Sequence, residues 1–205
     1  VISAFRAAME HAGLAPGSER YLRATEIVQA TMGQSKIDVF RQILGSEAAA
    51  AAANSAFEAH YAQIVRAGEV APLPGAVQTL TALRDAGIKI CLATGFSPGT
   101  RDVVVDTLGW RSLIDLALSP ADAGRGRPFP DLPLTALLRL GGGAVSELAV
   151  VGDTPSDVES GRRAGAGVVA GVLTGSANRK ELEAAGTPHV LDRIAGLLPL
   201  LGLRD

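Results

Sequence analysis

The segment VVGDTPSDVESG, residues 150–161, predicts a buried strand, a turn and the start of a helix. The apolar run before Gly152 is typical of a strand that is buried on both faces of a parallel sheet, and Gly152 allows the chain to turn. Asp153 then falls at the carboxyl edge of that strand, where open α/β sheets bind ligands. Pro155 and Asp157 suit the first turn of the helix. A helix start with acidic capping residues is the simpler alternative.

The composition excludes several classes of protein. The 205-residue chain has a formal net charge of −2 and no basic block, so nucleic-acid binding has no electrostatic support. Its single cysteine, Cys91, lies in an apolar run without a partner for an internal disulfide, and we expect a reduced, cytoplasmic setting. No apolar run reaches the roughly 18 residues of a membrane span, and the N-terminus lacks the pattern of a signal peptide. We therefore expect a soluble protein without a membrane partner.

The first third of the chain predicts helices only. Apolar residues recur at helical spacing through residues 1–68, and the alanine run over residues 48–53 favours a further helix. The two prolines of PLPG, residues 72–75, end this pattern. We therefore predict a small helical cap domain over residues 1–70 and a second domain over residues 71–205.

The second domain is predicted to alternate short strands with helices. Strands that are separated by helices imply right-handed βαβ crossovers and a parallel sheet. The predicted fold class is thus α/β, with a Rossmann-like parallel core and a small all-helical cap. The predicted strands lie at residues 88–93, 114–118, 148–151, 167–173 and 189–191, and the predicted helices at residues 76–86, 101–108, 132–140, 155–164 and 194–201.

Polar residues follow three of these predicted strands. Thr94 and Gly95 offer a hydroxyl and a backbone amide to one phosphate oxygen, Arg127 is a cation between prolines and glycine, and Asp153 and Asp157 are carboxylates. Taken singly, Thr94 is more typical of a helix cap and Arg127 of a solvated surface charge. Together these groups are the inventory of a magnesium-dependent phosphoryl-transfer site. Asp153 is the candidate ligand of Mg²⁺, and Asp157 is the candidate residue that orients the groups around it.

These motifs resemble those of the haloacid dehalogenase-like hydrolase superfamily, over essentially the whole chain. Residues 94–95 (TG) are similar to its second motif, residues 127–130 (RPFP) to its third and residues 152–157 (GDTPSD) to its fourth. The third motif usually carries Lys where this chain has Arg127, which makes the charge permanent and replaces a point donor by a planar fork. The resemblance implies a Mg²⁺ cofactor at the fourth motif, with the second and third motifs stabilising a transferred phosphoryl group.

The helical part carries a narrower resemblance. Residues 32–36, MGQSK, are similar to the M-G-x-x-K cap motif of phosphonoacetaldehyde hydrolases, in which the lysine forms a Schiff base with the substrate aldehyde. This implies a catalytic role for Lys36 and substrate binding by Met32 and Gly33, together with the glycine of the second motif. An isolated lysine on a helix is more often a solvated charge. The related enzymes carry a histidine three residues after the lysine, and Val39 at this position cannot relay a proton.

The superfamily resemblance also implies a residue pair that this sequence does not contain. The nucleophile and the general acid are two aspartates on a first, central strand, and no such strand precedes Val1. Without it, backbone groups between the strands that end at Thr94 and Asp153 would be left unpaired. We therefore expect that the sequence begins inside a longer protein and could not complete catalysis alone.

Three functions stay open at this point. The first is magnesium-dependent hydrolysis of a small phosphorylated or phosphonate metabolite through an aspartyl-phosphate intermediate, with an imine on Lys36. The second is a phosphate monoester phosphatase in which Lys36 forms no Schiff base. The third is a non-catalytic relative with a binding or regulatory role. All three predict a small-molecule ligand, and a monomer or homodimer.

Overall fold

The computed structural model describes residues 1–203; Arg204 and Asp205, the last two residues of the predicted second domain, lie outside the described residues. The first part of the chain is helical, as the sequence predicts. We call its four α-helices the helical cap. They are α1 (Ile2–His11), α2 (Glu19–Ala30), α3 (Lys36–Leu44) and α4 (Glu47–Arg66).

Local signals explain where the cap helices begin and how they pack. Ser18 and Ser46 precede α2 and α4, and their hydroxyls accept hydrogen bonds from N–H groups of the first helical turn. The buried faces of α1, α3 and α4 meet at the rings of Phe5, Phe40 and Phe57. The ring centroids of Phe5 and Phe57 lie 4.8 Å apart. The cap therefore has its own apolar core.

The rest of the described chain alternates helices with parallel strands, which confirms the predicted α/β fold with a Rossmann-like core. We call this part the core. Its strands are β1 (Cys91–Ala93), β2 (Leu116–Leu118), β3 (Ala149–Gly152), β4 (Val168–Val172) and β5 (His189–Leu191). Its α-helices are α5 (Ala76–Asp85), α6 (Pro98–Thr107), α7 (Pro120–Ala123), α8 (Asp131–Leu140), α9 (Pro155–Ala164), α10 (Arg179–Ala184) and α11 (Leu197–Leu200). Short 3₁₀ helices lie at Trp110–Ser112, Val145–Glu147 and Ile194–Gly196.

The strands form two parallel sheets. β1 pairs with β2, with Cys91 opposite Leu116, while the second sheet has the order β3, β4, β5, with Ala149 opposite Val168. Within residues 1–203 no ladder joins β1 to β3. The prediction that β3 is buried on both faces is therefore wrong: Ala149 is exposed and the other three residues of β3 are half-buried, because one edge of this strand has no paired neighbour. β1, also predicted as buried, is partly exposed as well.

Side-chain contacts shorten some elements relative to the apolar patterns. The strand predicted from residue 114 begins at Leu116, since the carboxylate of Asp115 accepts the N–H of Ile90 over 2.9 Å. The closing helix predicted over residues 194–201 is a 3₁₀ turn followed by α11. Helices α7 and α10 were not predicted. Within the described residues, no helix is both long enough and apolar enough to cross a membrane.

Candidate active site

The first two strands bring Thr94 to the carboxyl edge of their sheet. Its N–H donates to the carbonyl oxygen of Leu118, at the end of β2, over 3.0 Å. Its hydroxyl accepts the N–H of Phe96 over 3.2 Å, which turns the chain directly after β1. Thr94 is half-buried, and the residue that follows it, Gly95, contacts the cap at Gln34.

Asp153 follows β3 and is held by the loop after β4. One carboxylate oxygen accepts the N–H of Ser176 over 2.8 Å and its hydroxyl over 3.2 Å. Gly175 packs so closely on this carboxylate that a β-carbon at Gly175 would clash with it. The loop after β4 therefore fixes the direction of the Asp153 side chain. Apart from the small residues at 175 and 176, no local pattern predicts this contact.

Asp157 is the best-connected carboxylate of the site. It lies in the first turn of α9, where its Oδ2 accepts the N–H of Thr154 over 3.0 Å and the Thr154 hydroxyl over 2.6 Å. In return the Asp157 N–H donates to the Thr154 hydroxyl over 3.2 Å, which completes a capping box. Its Oδ1 forms an ion pair with Arg127, and the two side chains are only 5% and 16% exposed. The Nε of Arg127 is buried and has no hydrogen-bond partner among residues 1–203.

The cap motif lies between two loops of the core. Gly95 approaches Gln34 so closely that a β-carbon on Gly95 would clash with the Gln34 carbonyl oxygen. The N–H of Lys36 donates to the Gly95 carbonyl oxygen over 3.1 Å. On the other side, a β-carbon on Gly33 would clash with the hydroxyl of Thr154. Gly95 therefore permits backbone contact between the core and the cap, and Gly33 permits close contact between the cap backbone and the Thr154 side chain.

Lys36 is the buried cation at this junction. Its side chain is on the inner face of α3 and the residue is 7% exposed. Its Nζ donates to the Gln34 carbonyl oxygen over 3.2 Å. Burial, and after it the positive charge of Arg127, lower the pKa of the Lys36 amine, while the negative charges of Asp157 and Asp153 raise it; together they take the pKa from 10.5 to about 8. An isolated lysine on a helix is usually solvated, but Lys36 is buried.

Aromatic rings supply much of the apolar surface around the amine. The Nζ of Lys36 lies 5.6 Å from the ring centroid of Phe5, on α1, and 5.6 Å from that of Phe96. Neither ring was predicted as part of the site, although Phe96 directly follows the second motif. Met32, in contrast, is half-buried and packs against the apolar core of the cap. Its role in substrate binding stays a prediction.

The acidic groups fit a metal only in part. No group of three or more His, Cys, Asp or Glu side chains that could hold a metal ion occurs within residues 1–203. Asp157 is engaged with Arg127 and Thr154 through both oxygens. Asp153 has one oxygen committed to Ser176, and its other oxygen accepts no hydrogen bond within the described chain. Asp153 thus fits as a single carboxylate ligand of Mg²⁺, with further ligands from water or substrate.

Cys91 does not belong to the site chemistry. It begins β1, and burial raises the pKa of its thiol to about 12. A thiol with such a pKa is protonated at neutral pH and is a poor nucleophile. The prediction that Cys91 is a residue of the interior agrees with this.

Fold and site together define a capped Rossmann-like protein with a candidate site for an anionic ligand at the junction of cap and core. Thr94 and Arg127 supply hydrogen-bond donors, Lys36 supplies a buried amine, and Asp153 supplies a carboxylate. A sequence model of the haloacid dehalogenase-like hydrolase family matches residues 3–165. The chain therefore belongs to that family.

Curated relatives support the narrower, phosphonatase-like resemblance. The chain is 31% identical to the phosphonoacetaldehyde hydrolase of Bordetella pertussis over 153 residues, which are 63% of this chain and 55% of that protein. It is 31% identical to the phosphonoacetaldehyde hydrolase of Bacillus cereus over 130 residues, 60% of this chain and 48% of that protein. The chain spans about half the length of these curated relatives.

Solved structures share the fold along nearly the whole chain. A hydrolase from Pseudomonas syringae matches with a TM-score of 0.83 at 24% identity, covering 98% of this chain and 90% of that chain. A phosphonoacetaldehyde hydrolase like protein from Oleispira antarctica matches with a TM-score of 0.81 at 22% identity, covering 98% and 84%. At these identities the similarity concerns the fold alone.

Proposed function

We propose that this chain is the cap and core of a Mg²⁺-dependent, phosphonatase-like hydrolase that acts on a small phosphorylated or phosphonate metabolite carrying a carbonyl group. The observation that carries the proposal is the buried amine of Lys36. Its pKa is lowered by burial and by the charge of Arg127 and is raised by the charges of two aspartates. A lysine in this position brings an amine to the same junction as the groups that suit a phosphoryl or phosphonyl oxygen.

The donors at the core edge would bind the phosphorus end of the substrate. Thr94 contributes its hydroxyl, Gly95 its backbone N–H, and Arg127 a guanidinium whose Nε has no partner in the part of the chain that the structure describes and is free to donate. These donors are fixed before the substrate arrives, so they can stabilise negative charge that grows on the phosphoryl oxygens without reorganising. Asp157 keeps Arg127 in place through the ion pair and the capping box of α9.

Asp153 is the residue that would hold Mg²⁺. When bound, Mg²⁺ neutralises charge on the phosphoryl oxygens. Ser176 fixes one oxygen of Asp153, which leaves the other oxygen for the metal. In this proposal Asp153 holds the metal and Asp157 pairs with Arg127. The aspartate that forms the aspartyl-phosphate intermediate is therefore a third aspartate, different from these two.

The lowered pKa of Lys36 supplies a neutral amine at neutral pH. With a pKa of about 8, about a tenth of the Lys36 amines are neutral at pH 7, against about three in ten thousand for an ordinary lysine. The neutral nitrogen can attack a substrate carbonyl carbon, and the carbonyl oxygen then leaves as water. The resulting protonated imine accepts the electron pair of the adjacent carbon–phosphorus bond when that bond breaks, and the phosphoryl group passes to the carboxylate of the aspartate that forms the aspartyl-phosphate intermediate.

A second candidate is hydrolysis of a phosphate monoester in which Lys36 acts only as a positive charge. The position of Val39 favours it, because Val39 is 1% exposed in the apolar core of the cap and offers no proton relay beside Lys36. In this alternative the same donors bind the phosphoryl group, and Lys36 attracts its negative charge.

Borohydride trapping separates the two chemistries. The full-length protein is treated with borohydride in the presence of phosphonoacetaldehyde or related aldehydes, and mass spectrometry locates any adduct. The imine route predicts a reduced adduct on Lys36 and an inactive Lys36→Arg variant, since arginine keeps the charge but is not an amine nucleophile. Lys89→Arg, at a surface lysine paired with Asp115, is the matched control and should behave as the wild type.

Each contrary outcome selects another function. No adduct together with an active Lys36→Arg variant would retire the phosphonatase route and favour the monoester phosphatase. A full-length protein that hydrolyses neither phosphonates nor phosphate monoesters with Mg²⁺ would favour the binding or regulatory role.

A further inference from the structure

The environment of the Lys36 amine is built from both parts of the fold. Phe5 belongs to α1 of the cap and is almost completely buried. Phe96 belongs to the core and directly follows Gly95, whose carbonyl oxygen accepts the Lys36 N–H. Each ring centroid lies 5.6 Å from the Nζ of Lys36. The amine therefore lies between one ring of the cap and one ring of the core.

Further aromatic contacts hold the core ring in this position. The ring of Phe96 lies 4.8 Å from that of Tyr61 and 6.1 Å from that of Phe57, both on α4 of the cap. Phe96 is thus the one core aromatic in this cluster of described residues, and it packs against the apolar core of the cap. The position of its ring depends on the cap being docked, because both of its aromatic partners belong to the cap.

Resting on the function proposed above, we propose that Phe96 is a positioning residue for Lys36: docking of the cap on the core brings its ring over the amine and completes a water-excluding aromatic pocket that Phe5 begins. In this arrangement water is excluded from the Lys36 amine only while the cap is docked on the core. The reactive form of Lys36 is thereby coupled to the closed state, and an open cap leaves an ordinary, protonated lysine.

Two opposing effects of the rings decide what substitutions should do. Excluding water disfavours the ammonium form, whereas the negative π face of each ring favours it. Burial is the largest influence on the pKa of Lys36 and lowers it. Removal of the Phe96 ring should therefore raise the pKa if water enters. Replacement by an equally apolar side chain should leave it low.

Other charged groups also face the amine and are constant in this comparison. They are Arg127 before α8, Asp153 after β3, Asp157 on α9 and the α-amino group of Val1. None of them lies on the segment that carries Phe96. A substitution of Phe96 that preserves the fold leaves these charges in place. Any change in the pKa of Lys36 then reflects the loss of the ring and the entry of water.

The test measures the pKa of Lys36 in the full-length protein without substrate. Competitive acetylation across pH 6 to 11, followed by mass spectrometry of the Lys36 peptide, gives the pKa from the pH dependence of labelling. We expect a value near 8 in the wild type. Phe96→Ala should raise it by about one unit or more, and Phe96→Leu should leave it close to the wild-type value. Phe96→Val, a smaller truncation, should give a shift between these two and serves if the alanine variant does not fold.

Phe57→Leu is the matched control. Phe57 belongs to the same aromatic cluster and contacts both Phe5 and Phe96, but its ring does not face the amine within the cation–π distance found for the other two. It should leave the Lys36 pKa unchanged. The proposal is overturned if the valine and alanine variants keep a pKa near 8, or if Phe57→Leu or Phe96→Leu raises it as much as the truncations do.

This readout is independent of turnover. If Lys36 forms no imine with any substrate, the proposed function fails while the labelling result stands. If the truncations leave the pKa unchanged although borohydride traps an adduct on Lys36, the inference about Phe96 fails and the proposed function stands.

Discussion

Gly33 of the cap lies against Thr154 of the core with no room for a side chain between them: a β-carbon on Gly33 would clash with the Thr154 hydroxyl. That hydroxyl donates to Asp157, which forms the ion pair with Arg127. One close contact therefore joins the cap motif to the candidate phosphate-binding cation.

Gly33→Ala should reduce activity at least about tenfold, because the new methyl group forces the cap motif away from Thr154 and so misplaces Lys36 by a fraction of an ångström or more. The substitution also places alanine at φ +91°, which by itself costs about 1 kcal/mol of stability. Steady-state kinetics and thermal unfolding measure the two effects.

Gly13→Ala separates the contact from the backbone strain. Gly13 has a similar φ of +79°, and no atom of another described residue lies within 4 Å of the position of its β-carbon. This control should lose a comparable amount of stability while keeping its activity. Equal activity losses in the two variants would show that the Gly33–Thr154 contact has no special role.

Asp157→Asn should lower the free energy of unfolding by about 3 kcal/mol, because it leaves the guanidinium of Arg127 buried without its negative partner. Asp131→Asn is the control: Asp131 also lies in the first turn of a helix and pairs with an arginine, but that arginine, Arg125, is 59% exposed. The exposed pair should cost about 1 kcal/mol or less. Urea unfolding compares the two, and similar small losses would contradict the importance of burial.

The sequence predicted much of this arrangement because strand ends and glycines have simple geometric consequences. The bounds of α9 agree with the prediction, since Pro155 and the Thr154–Asp157 capping box fix its start and Gly165 its end. The carboxyl edge of parallel strands explains why Gly95 after β1 and Thr154 after β3 both contact the cap motif.

Other features depend on contacts between distant residues and had no local signal. The placement of the Phe5 and Phe96 rings beside the Lys36 amine brings together residues of the cap and of the core, and no spacing in the sequence encodes it. The fixation of Asp153 by Ser176 joins two loops 23 positions apart. The separation of the strands into two sheets depends on which strands pair with β1 and with β3. An apolar run predicts that a segment is extended, but it does not predict the pairing partner.

Asp153→Asn should weaken Mg²⁺ binding and abolish turnover in the full-length protein. The substitution removes the negative charge of the one site carboxylate that has an oxygen without a hydrogen-bond donor in the described chain. Calorimetric titration with Mg²⁺ and the Mg²⁺ dependence of the rate are the measurements. Asp192→Asn, at an exposed aspartate in the same core, should leave both unchanged. An unaltered magnesium dependence in Asp153→Asn would refute the metal assignment.

The stability of the protein should rise with pH between about 8 and 10.5 through Lys36. Below pH 8 the folded and unfolded chains both carry the proton, and folding bears the full cost of burying the charge. Between the two pKa values the folded amine is neutral while the unfolded amine still binds a proton, so the unfolded state binds more protons and stability increases with pH. The rise amounts to about 3 kcal/mol for a shift of this size.

Lys36→Met should lack this rise and be more stable than the wild type at pH 7, with an advantage that shrinks as the pH approaches 10.5. Methionine fills the same space between the two rings without a charge that must be desolvated. Chemical unfolding at a series of pH values measures the difference, and Lys180→Met, at an exposed lysine of α10, is the control that should follow the wild type. If the curves of wild type and Lys36→Met run parallel from pH 7 to 10.5, the amine of Lys36 is solvated in the folded protein and the pocket formed by Phe5 and Phe96 does not exclude water from it.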